Sequence, residues 1–471
     1  MIGQYDEIYN DLKSDWIRIK DFVKGERQVK NSAVQNEYIV VPVGIEPKSD
    51  KARAYIQRGF FPELANTALN EANGRIFQHE PILPEKEKID VLGKDFYSDV
   101  DGSGNSISEI ISKVVNNLNS TTRCGILVDY ANVGTYMNEA QRQQSDDRIV
   151  WSYYDTLDIL SVKTNRSGKI IKIELAEKIE SDYITLESED IIHEVRRVLF
   201  IDNDGIYKQR IYEYNSKNEK YELFDDEIIP LMQGKTLNYI PFIIFNGKTN
   251  NAEVYKPRLL DMVETINSIY KNWTDLEHMI YNICTPVRYG TGINDEDLNK
   301  ISQAGPTKFW AITNPEAQLG VLDIGGNGLT YAIQNIESKL KIAERLGYVF
   351  LDSGTKTATQ SVIETTGRLI TLYDVAKSTS EGIMKCLEIS MLWVKGFYDE
   401  EDIKVSINIK SDISTFEANN LTALINSYIS GLLRKQDIHK YMLERKLTDV
   451  KNFDEWNSSL IDNINELNPG I

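Results

Sequence analysis

Apolar residues in the first quarter of the chain recur with a helical period. At the N-terminus they return every three or four residues, which predicts a helix ending near Lys24. After the apolar run Tyr38–Val43, the pattern predicts one helix over Ala52–Glu71. A further helix is predicted to begin after Ser106, because its hydroxyl can accept the first free N–H groups while Glu109 reaches back. The stripe predicted to be buried on that helix is Ile107, Ile110, Ile111, Val114, Val115 and Leu118.

From Cys124 to about Phe245 the period shifts towards two, which is typical of strands with one buried face. The turn at Asp202–Gly205 predicts a hairpin, since Asn, Asp and Gly tolerate the positive φ of tight turns. We therefore expect a mixed α+β body. The predicted strands are Gly125–Tyr130, Ile170–Leu175, Val195–Asp202 and Gly205–Tyr214.

After Gly247 the pattern becomes helical again, with one Gly- and Pro-rich interruption. Apolar steps of three and four over Pro257–Ile283 predict a helix of about 40 Å at ~1.5 Å per residue. A returning helix over Leu329–Tyr348 is predicted to place Ile333, Ile336, Leu340 and Ala343 on one side. The other predicted segments are a compact insert between these helices, a small polar loop at Leu351–Ser361, a helical tract at Val362–Phe397 and an acidic helical tail at Asp412–Leu467.

Charge and composition narrow the possible functions. The 471 residues include 53 Lys+Arg and 71 Asp+Glu, giving a formal charge of −18. This excess argues against a protein that grips nucleic acid, since that requires cations to neutralise phosphates. The longest apolar runs are too short for a membrane span, and no secretion signal is visible, so we expect the protein to be cytoplasmic. Three well-separated cysteines predict buried reduced thiols rather than disulfides or a zinc site.

Two motifs suggest phosphate or metal binding. Gly247-Lys248-Thr249 follows an apolar run, but a phosphate loop needs Gly where Phe242 stands, so a strand-ending turn is favoured. The segment Asp99-x-Asp101-x-Ser103-Gly104 copies half of a calcium loop. Its twelfth position is Ile110 instead of Glu, which favours a turn before a helix. The four histidines are scattered, and we expect no metal, cofactor or catalytic residue.

Several local patterns occur in one linear order. From the N-terminus they are Phe22-x-Lys24-Gly25, Tyr38-Ile39-Val40-Val41-Pro42, Tyr55 with Arg58-Gly59-Phe60-Phe61, Asn73-Gly74-Arg75-Ile76-Phe77 with Pro81, Asp99–Ile107, Arg123–Tyr130, Ile240-Pro241-Phe242, Thr285-Pro286, Gly305–Glu316 and Thr357-Ala358-Thr359. Each is common alone, and their order is the specific signal. In this order the chain resembles the portal proteins of tailed bacteriophages, specifically a portal-like family long described as a domain of unknown function.

The resemblance implies a portal fold and a division of the chain into the parts of that fold. The implied parts are a wing at 1–256, a first stem helix at 257–283, a clip at 284–328, a second stem helix at 329–350, a tunnel loop at 351–361, a wing-crossing helix at 362–400 and a helical crown at 401–471. It also implies a ring of about twelve copies at one capsid vertex, assembled in the host cytoplasm and retained in the virion. The implied partners are double-stranded DNA in transit, the large terminase subunit, a head–tail adaptor, and capsid or scaffolding protein.

The expected mechanism is a passive conduit without catalysis. An acidic wall lets phosphates slide, whereas clustered cations would hold them. The residues expected to line the channel on the first stem helix are Asp261, Glu264, Asp275 and Glu277. Those expected to contact DNA from the tunnel loop are Ser353, Gly354, Thr355, Lys356, Thr357 and Thr359. Two alternatives stay open: a metal-dependent hydrolase or nucleotidyl enzyme using dispersed carboxylates, and a cytosolic scaffold that binds proteins through its helical tail.

Overall fold

A computed structural model gives the architecture of the chain. It describes residues 5–93, 95–131, 148–180, 192–224, 226–284, 287–293, 295, 315–322, 328–346, 358–407, 434–444, 450 and 452–458. The chain divides into two compact units, one of Met1–Thr355 with Thr365–Ile409 and one of Lys356–Glu364 with Lys410–Ile471. Helices and antiparallel sheets combine in the first unit, which confirms the predicted α+β class.

Six helices precede the first strand of the described chain. They are α1 (Glu7–Lys24), α2 (Glu26–Ser32), α3 (Asp50–Arg58), α4 (Leu64–Ile76), α5 (Lys86–Ile89), which continues as a 3-10 turn (Asp90–Leu92), and α6 (Ile107–Ser120). The prediction of one helix over Ala52–Glu71 is wrong, because the chain leaves helical geometry between Arg58 and Leu64. Pro62 accounts for part of this break, since a proline disfavours the helical conformation of the residue before it.

The predicted start of α6 is confirmed in atomic detail. Glu109 N–H donates to Ser106 Oγ at 3.2 Å, and Ser106 N–H donates to Glu109 Oε2 at 2.6 Å, which completes the capping box. All six apolar residues of the predicted stripe are fully buried. The local sequence therefore determines both where this helix begins and which face it buries.

Twelve strands form four antiparallel sheets in the described residues. They are β1 (Cys124–Ala131), β2 (Arg148–Tyr154), β3 (Ile159–Thr164), β4 (Ile170–Glu180), β5 (Ile192–Ile201), β6 (Tyr207–Asn215), β7 (Lys220–Leu223), β8 (Leu231–Met232), β9 (Lys235–Thr236), β10 (Phe242–Phe245), β11 (Val287–Thr291) and β12 (Gln318–Leu322). The main sheets have the orders β10-β1-β2 and β3-β4-β5-β6-β7. The hairpin predicted at Asp202–Gly205 joins β5 to β6, with Gly205 at φ +78°.

Three long helices complete the first unit: α7 (Leu260–Cys284), α8 (Leu329–Leu346) and α9 (Ala358–Val394), the last followed by a 3-10 turn (Glu400–Ile403). The first residues of α9, up to Glu364, belong to the second unit. From residue 371 onwards α9 packs against the three-stranded sheet, where Trp151 Nε1 donates to Ser390 Oγ at 2.9 Å. The prediction of buried thiols holds for Cys124 and Cys386 and is wrong for Cys284, which is exposed at the end of α7.

The described part of the second unit includes helix α10 (Lys435–Glu444) and residues 452–458. His439 on α10 is buried, and its ring lies 4.8 Å from that of Trp456. A 2.8 Å hydrogen bond joins His439 Nε2 to Val450 O. These contacts give this unit a small aromatic cluster of its own. Much of the predicted acidic tail lies outside the described residues.

Candidate assembly site: the α7–α8 helix pair

Helix α7 lies with one broad face in the core of the first unit. The predicted steps of four and three bring Leu259, Val263, Ile266 and Tyr270 onto that face, and each is at most 1% exposed. The predicted helix over Pro257–Ile283 is thus confirmed, although it begins at Leu260. This burial fixes the direction in which α7 runs over the unit.

The N-terminal end of α7 is tied to neighbouring elements by Arg258. Its backbone N–H donates to Thr122 Oγ1 at 3.0 Å, and its guanidinium donates to Thr371 O at 3.0 Å and to Gly247 O at 3.3 Å. Thr122 lies just after the end of α6 and Arg258 just before the start of α7, so this hydrogen bond joins the end of one helix to the start of another. Arg258 therefore links α7 with α6, α9 and the turn after β10.

Helix α3 and the loop after it hold the C-terminal half of α7. Tyr55 Oη donates to a carboxylate oxygen of Asp275 at 2.5 Å. Burial, together with that carboxylate, raises the pKa of Tyr55 above its usual value. Gly59 lies so close to α7 that a Cβ atom added to it would be 2.1 Å from Thr274 Oγ1. The Arg58 guanidinium lies 3.6 Å from the ring centre of Tyr281, a cation–π contact.

Helix α8 packs along α7 within the same chain. Ile336 and Ala343 are at most 1% exposed, and Lys339 Nζ donates to Ser268 Oγ at 2.8 Å. Between the two helices, β11 and β12 pair antiparallel, from Val287 opposite Leu322 to Thr291 opposite Gln318. Because this ladder joins the C-terminal end of α7 to the N-terminal end of α8, the two helices are antiparallel neighbours.

The four acidic candidates on α7 do not share one face. At 100° per residue, Asp261, Glu264 and Asp275 fall within about 60° of one another, whereas Glu277 lies on the opposite side. The first three also have partners within the chain. Lys256 Nζ lies 2.5 Å from Asp261, Arg18 lies 3.8 Å from Glu264, and Tyr55 binds Asp275. The negative charge on this face is therefore partly compensated.

The tunnel-loop candidates fall mainly outside the described residues. This applies to Ser353, Gly354, Thr355, Lys356 and Thr357. Thr359 lies on the backbone of α9, which begins at Ala358, so the prediction that it belongs to a loop is wrong. The helix begins four residues before the predicted Val362. Of the four added residues, Ala358 and Gln360 favour a helix, and Thr359 and Ser361 carry only a modest helix penalty.

The acidic turn before α6 is closed by its own backbone. Asp99 Oδ1 accepts the N–H groups of Gly102 and Gly104 at 2.8 and 2.9 Å, and Asp101 Oδ1 accepts those of Ser103 and Asn105. Although burial alone would raise the pKa of Asp99, these bonds and the Arg148 guanidinium hold it below its usual value. Within the described residues no group of three or more His, Cys, Asp or Glu could hold a metal. The interpretation as a turn is supported.

The Gly247-Lys248-Thr249 segment is likewise a turn that ends β10. The fully buried Asn246 accepts with Oδ1 the N–H groups of Lys248, Thr249 and Asn250 at 3.0 to 3.2 Å. In a phosphate loop such N–H groups point at the ligand. Here they bind a side chain of the same turn, so they cannot bind a phosphate without displacing it.

A cavity of about 920 Å³ lies between the start of α1 and strands β2, β4 and β5. Arg196 in its wall lies 5.0 Å from the ring centre of Tyr5 and 4.4 Å from that of Tyr221, and it donates to Tyr5 Oη at 3.2 Å. Neighbouring charges form the pair Arg197–Glu177 at 2.7 Å. These contacts hold the beginning of α1 against the five-stranded sheet.

Comparisons with known proteins single out the α7–α9 segment. A family described as Domain of unknown function (DUF4055) matches residues 258–394, which is less than a third of the chain. No curated protein matches the sequence. Among solved structures, a chain from the neck of an empty gene transfer agent particle, computed with C6 symmetry, aligns with 85% of this chain and 95% of its own length. That alignment has 8% identity and a TM-score of 0.35, too low to establish a common fold. No helix in the described residues is long and apolar enough to cross a membrane.

Proposed function

We propose that the protein is the portal, or head-to-tail connector, of a tailed bacteriophage. About twelve copies would form a closed ring at one capsid vertex, since head-to-tail contacts generate rings when the rotation closes. Double-stranded DNA would pass through the ring during packaging and ejection. The large terminase subunit, a head–tail adaptor, and capsid or scaffolding protein would dock on it. The protein would act as a structural conduit without catalysis.

The observation that carries this proposal is the uncovered outer side of the helix pair. Tyr331 on α8 is 76% exposed, and Ile342 and Leu346 are 48% and 44% exposed. Exposed apolar rows of this kind mark surfaces that another protein covers. Two of the collinear motifs that resemble portal-like proteins, Thr285-Pro286 and Gly305–Glu316, lie between these helices in sequence. The family match of unknown function spans both helices. Neighbouring copies in a ring would supply the missing cover.

The charge of the chain fits DNA as a passing cargo. With −18 per copy, a ring would present little that could hold phosphates. We propose that Asp261, Glu264 and Asp275 lie near the DNA channel of the ring. Glu277 lies on the opposite side of α7. We offer Lys356 and the hydroxyls of Ser353, Thr355 and Thr357, beside Gly354, as the DNA contacts of the tunnel loop, together with the Thr359 hydroxyl at the start of α9.

Ring formation and the DNA contact at Lys356 can be tested separately. Negative-stain electron microscopy of the purified protein should show rings with a central hole. Lys356→Ala should leave those rings intact and reduce the DNA packaged per particle, because it removes a phosphate contact and no assembly contact. Rings that fail to form in Lys356→Ala would contradict the DNA role of this residue. A wild-type chain that stays a compact monomer at high concentration would contradict the portal function itself.

A further inference from the structure

Helix α8 carries two lengthwise stripes, of which only one is covered in the chain. The inner stripe contains Ile336 and Ala343 and packs against α7. The outer stripe follows steps of four, three, four and four, the spacing of residues that share one helix face. Its residues are Tyr331, Asn335, Ser338, Ile342 and Leu346. Three of the five, Tyr331, Ile342 and Leu346, are exposed apolar residues, and an exposed apolar row marks a surface that another protein can cover.

A positive charge beside the outer stripe of α8 and a negative charge on the exposed face of α7 are complementary. Lys341 borders the outer stripe of α8, is exposed, and has no hydrogen bond or ion pair among the described residues. On α7 the side chain of Glu264 is 54% exposed, and the Arg18 guanidinium lies 3.8 Å from its carboxylate. That separation is too long for a hydrogen bond. A cation on α8 and a carboxylate on α7 are therefore both available to another copy.

The register of α7 and α8 places Lys341 and Glu264 at nearly the same position along the helix axes. The contact between Lys339 and Ser268 aligns the antiparallel helices, so each step forward on α8 matches one step back on α7. Lys341 is then level with Ile266, two residues or about 3 Å from Glu264 along the axis. By the same count Tyr331 is level with Leu276, close to the 39% exposed Met279. Copies related by rotation about an axis parallel to the helices keep these heights.

We infer that the outer stripe of α8 docks on the exposed face of α7 in a second copy of this chain. Lys341 of one copy pairs with Glu264 of the next, and the Tyr331 ring packs on the Met279 thioether, a favourable sulfur–aromatic contact. The inference rests on the proposed ring. It adds which surfaces meet and in what register, and it assigns Glu264 to the contact between copies instead of the channel wall, where Asp261 and Asp275 remain the acidic candidates.

Charge reversal tests this pairing on the full-length chain. Lys341→Glu and Glu264→Lys should each raise the concentration needed for half-assembly by about tenfold or more, equivalent to ~1.4 kcal/mol. The double variant Lys341→Glu/Glu264→Lys should restore assembly, because the pair is re-formed with its charges exchanged. Lys51→Glu on α3 is the matched control, since Lys51 is also an exposed helical lysine, and it should assemble like the wild type. Sedimentation velocity measures the assembled fraction.

A second variant tests the apolar end of the contact independently of the ion pair. Tyr331→Asp should also weaken assembly, while its circular dichroism and thermal midpoint stay near wild type because the side chain is exposed. If Lys341→Glu and Tyr331→Asp both form rings at the same concentration as the wild type, the inferred contact is wrong, while the proposed portal function is unaffected. Failure of the double variant to recover would overturn the Lys341–Glu264 pairing. A wild-type chain that never assembles would contradict the proposed function and the inference together.

Discussion

The packing of α9 on the three-stranded sheet can be tested with one added methyl group at Gly382. Gly382 lies inside α9, where a Cβ atom would stand 2.1 Å from Cε1 of Phe245 and 2.8 Å from two other atoms of that ring. Phe245 is fully buried, and its strand pairs with β1 opposite Cys124. The ring is therefore held from several sides. Gly382→Ala must push α9 away from the sheet or force the ring out of its position.

Two opposing effects set the magnitude. Alanine favours a helix over glycine by up to about 1 kcal/mol, whereas overpacking a well-packed core costs about 1–3 kcal/mol. Because the approach is far inside van der Waals contact, we take the upper part of that range, which leaves a net loss of about 2 kcal/mol. For a unit of roughly 400 residues this lowers the thermal midpoint by about 2 °C, since the entropy of unfolding scales with length.

Gly74→Ala is the matched control, because Gly74 lies in α4 and no heavy atom is within 4 Å of the added Cβ. There only the helix preference changes, so the midpoint should rise slightly. Differential scanning calorimetry compares the two variants with the wild type. Adding Phe245→Leu to Gly382→Ala should recover part of the loss, because the two positions contact each other. A Gly382→Ala midpoint that rises like that of Gly74→Ala would refute the packing described for α9.

Three other features give direct tests. Tyr55→Phe should lower the free energy of unfolding by about 1 kcal/mol, because Asp275 loses a hydrogen bond. Adding Asp275→Asn to Tyr55→Phe should lower it little further, since the two residues share that bond. Losses that add up in chemical denaturation would contradict this contact. Calcium or a chelator should leave the thermal midpoint unchanged, because the oxygens of Asp99 and Asp101 already accept backbone N–H groups. Since the folded-state pKa of Asp99 is lowered, its stabilisation is present above the ordinary aspartate range and is lost as the pH falls through the lowered value. Asp99→Asn should therefore flatten the acid limb of the stability profile. In the unassembled chain a thiol reagent should modify only Cys284 rapidly, because burial raises the pKa of Cys124 and Cys386; three equally fast thiols would contradict the fold.

Elements that depend on local sequence could be predicted well. The capping box of α6 and the Asp202–Gly205 hairpin need only residues a few positions apart, and both are confirmed. The helical period of α7 and α8 likewise identified these helices. The break at Gly59–Pro62 is not visible in the pattern, because the apolar residues on both sides keep a helical spacing. What distinguishes the break is the close approach of Gly59 to Thr274, more than two hundred residues away in sequence.

The charged residues of the candidate site were harder to assign. Sequence spacing could show that Glu277 lies opposite Asp261 on α7. It could not show that Tyr55 donates to Asp275 or that Arg18 lies 3.8 Å from Glu264, because both partners come from distant segments of the chain. Lys256, which pairs with Asp261, is only five residues away in sequence. The exposed stripe of α8 was also hidden, since Tyr331 and Ile342 look like core residues until the packing of Ile336 and Ala343 identifies the covered side.

The central claim is that this chain closes into a ring around a passage for DNA. Native mass spectrometry of the purified protein measures it most directly, since one copy has a mass of 53.9 kDa. The account predicts one dominant closed assembly of about twelve copies, near 650 kDa, with few open intermediates, as expected for a head-to-tail ring. A single 53.9 kDa species that persists as the concentration rises would contradict it.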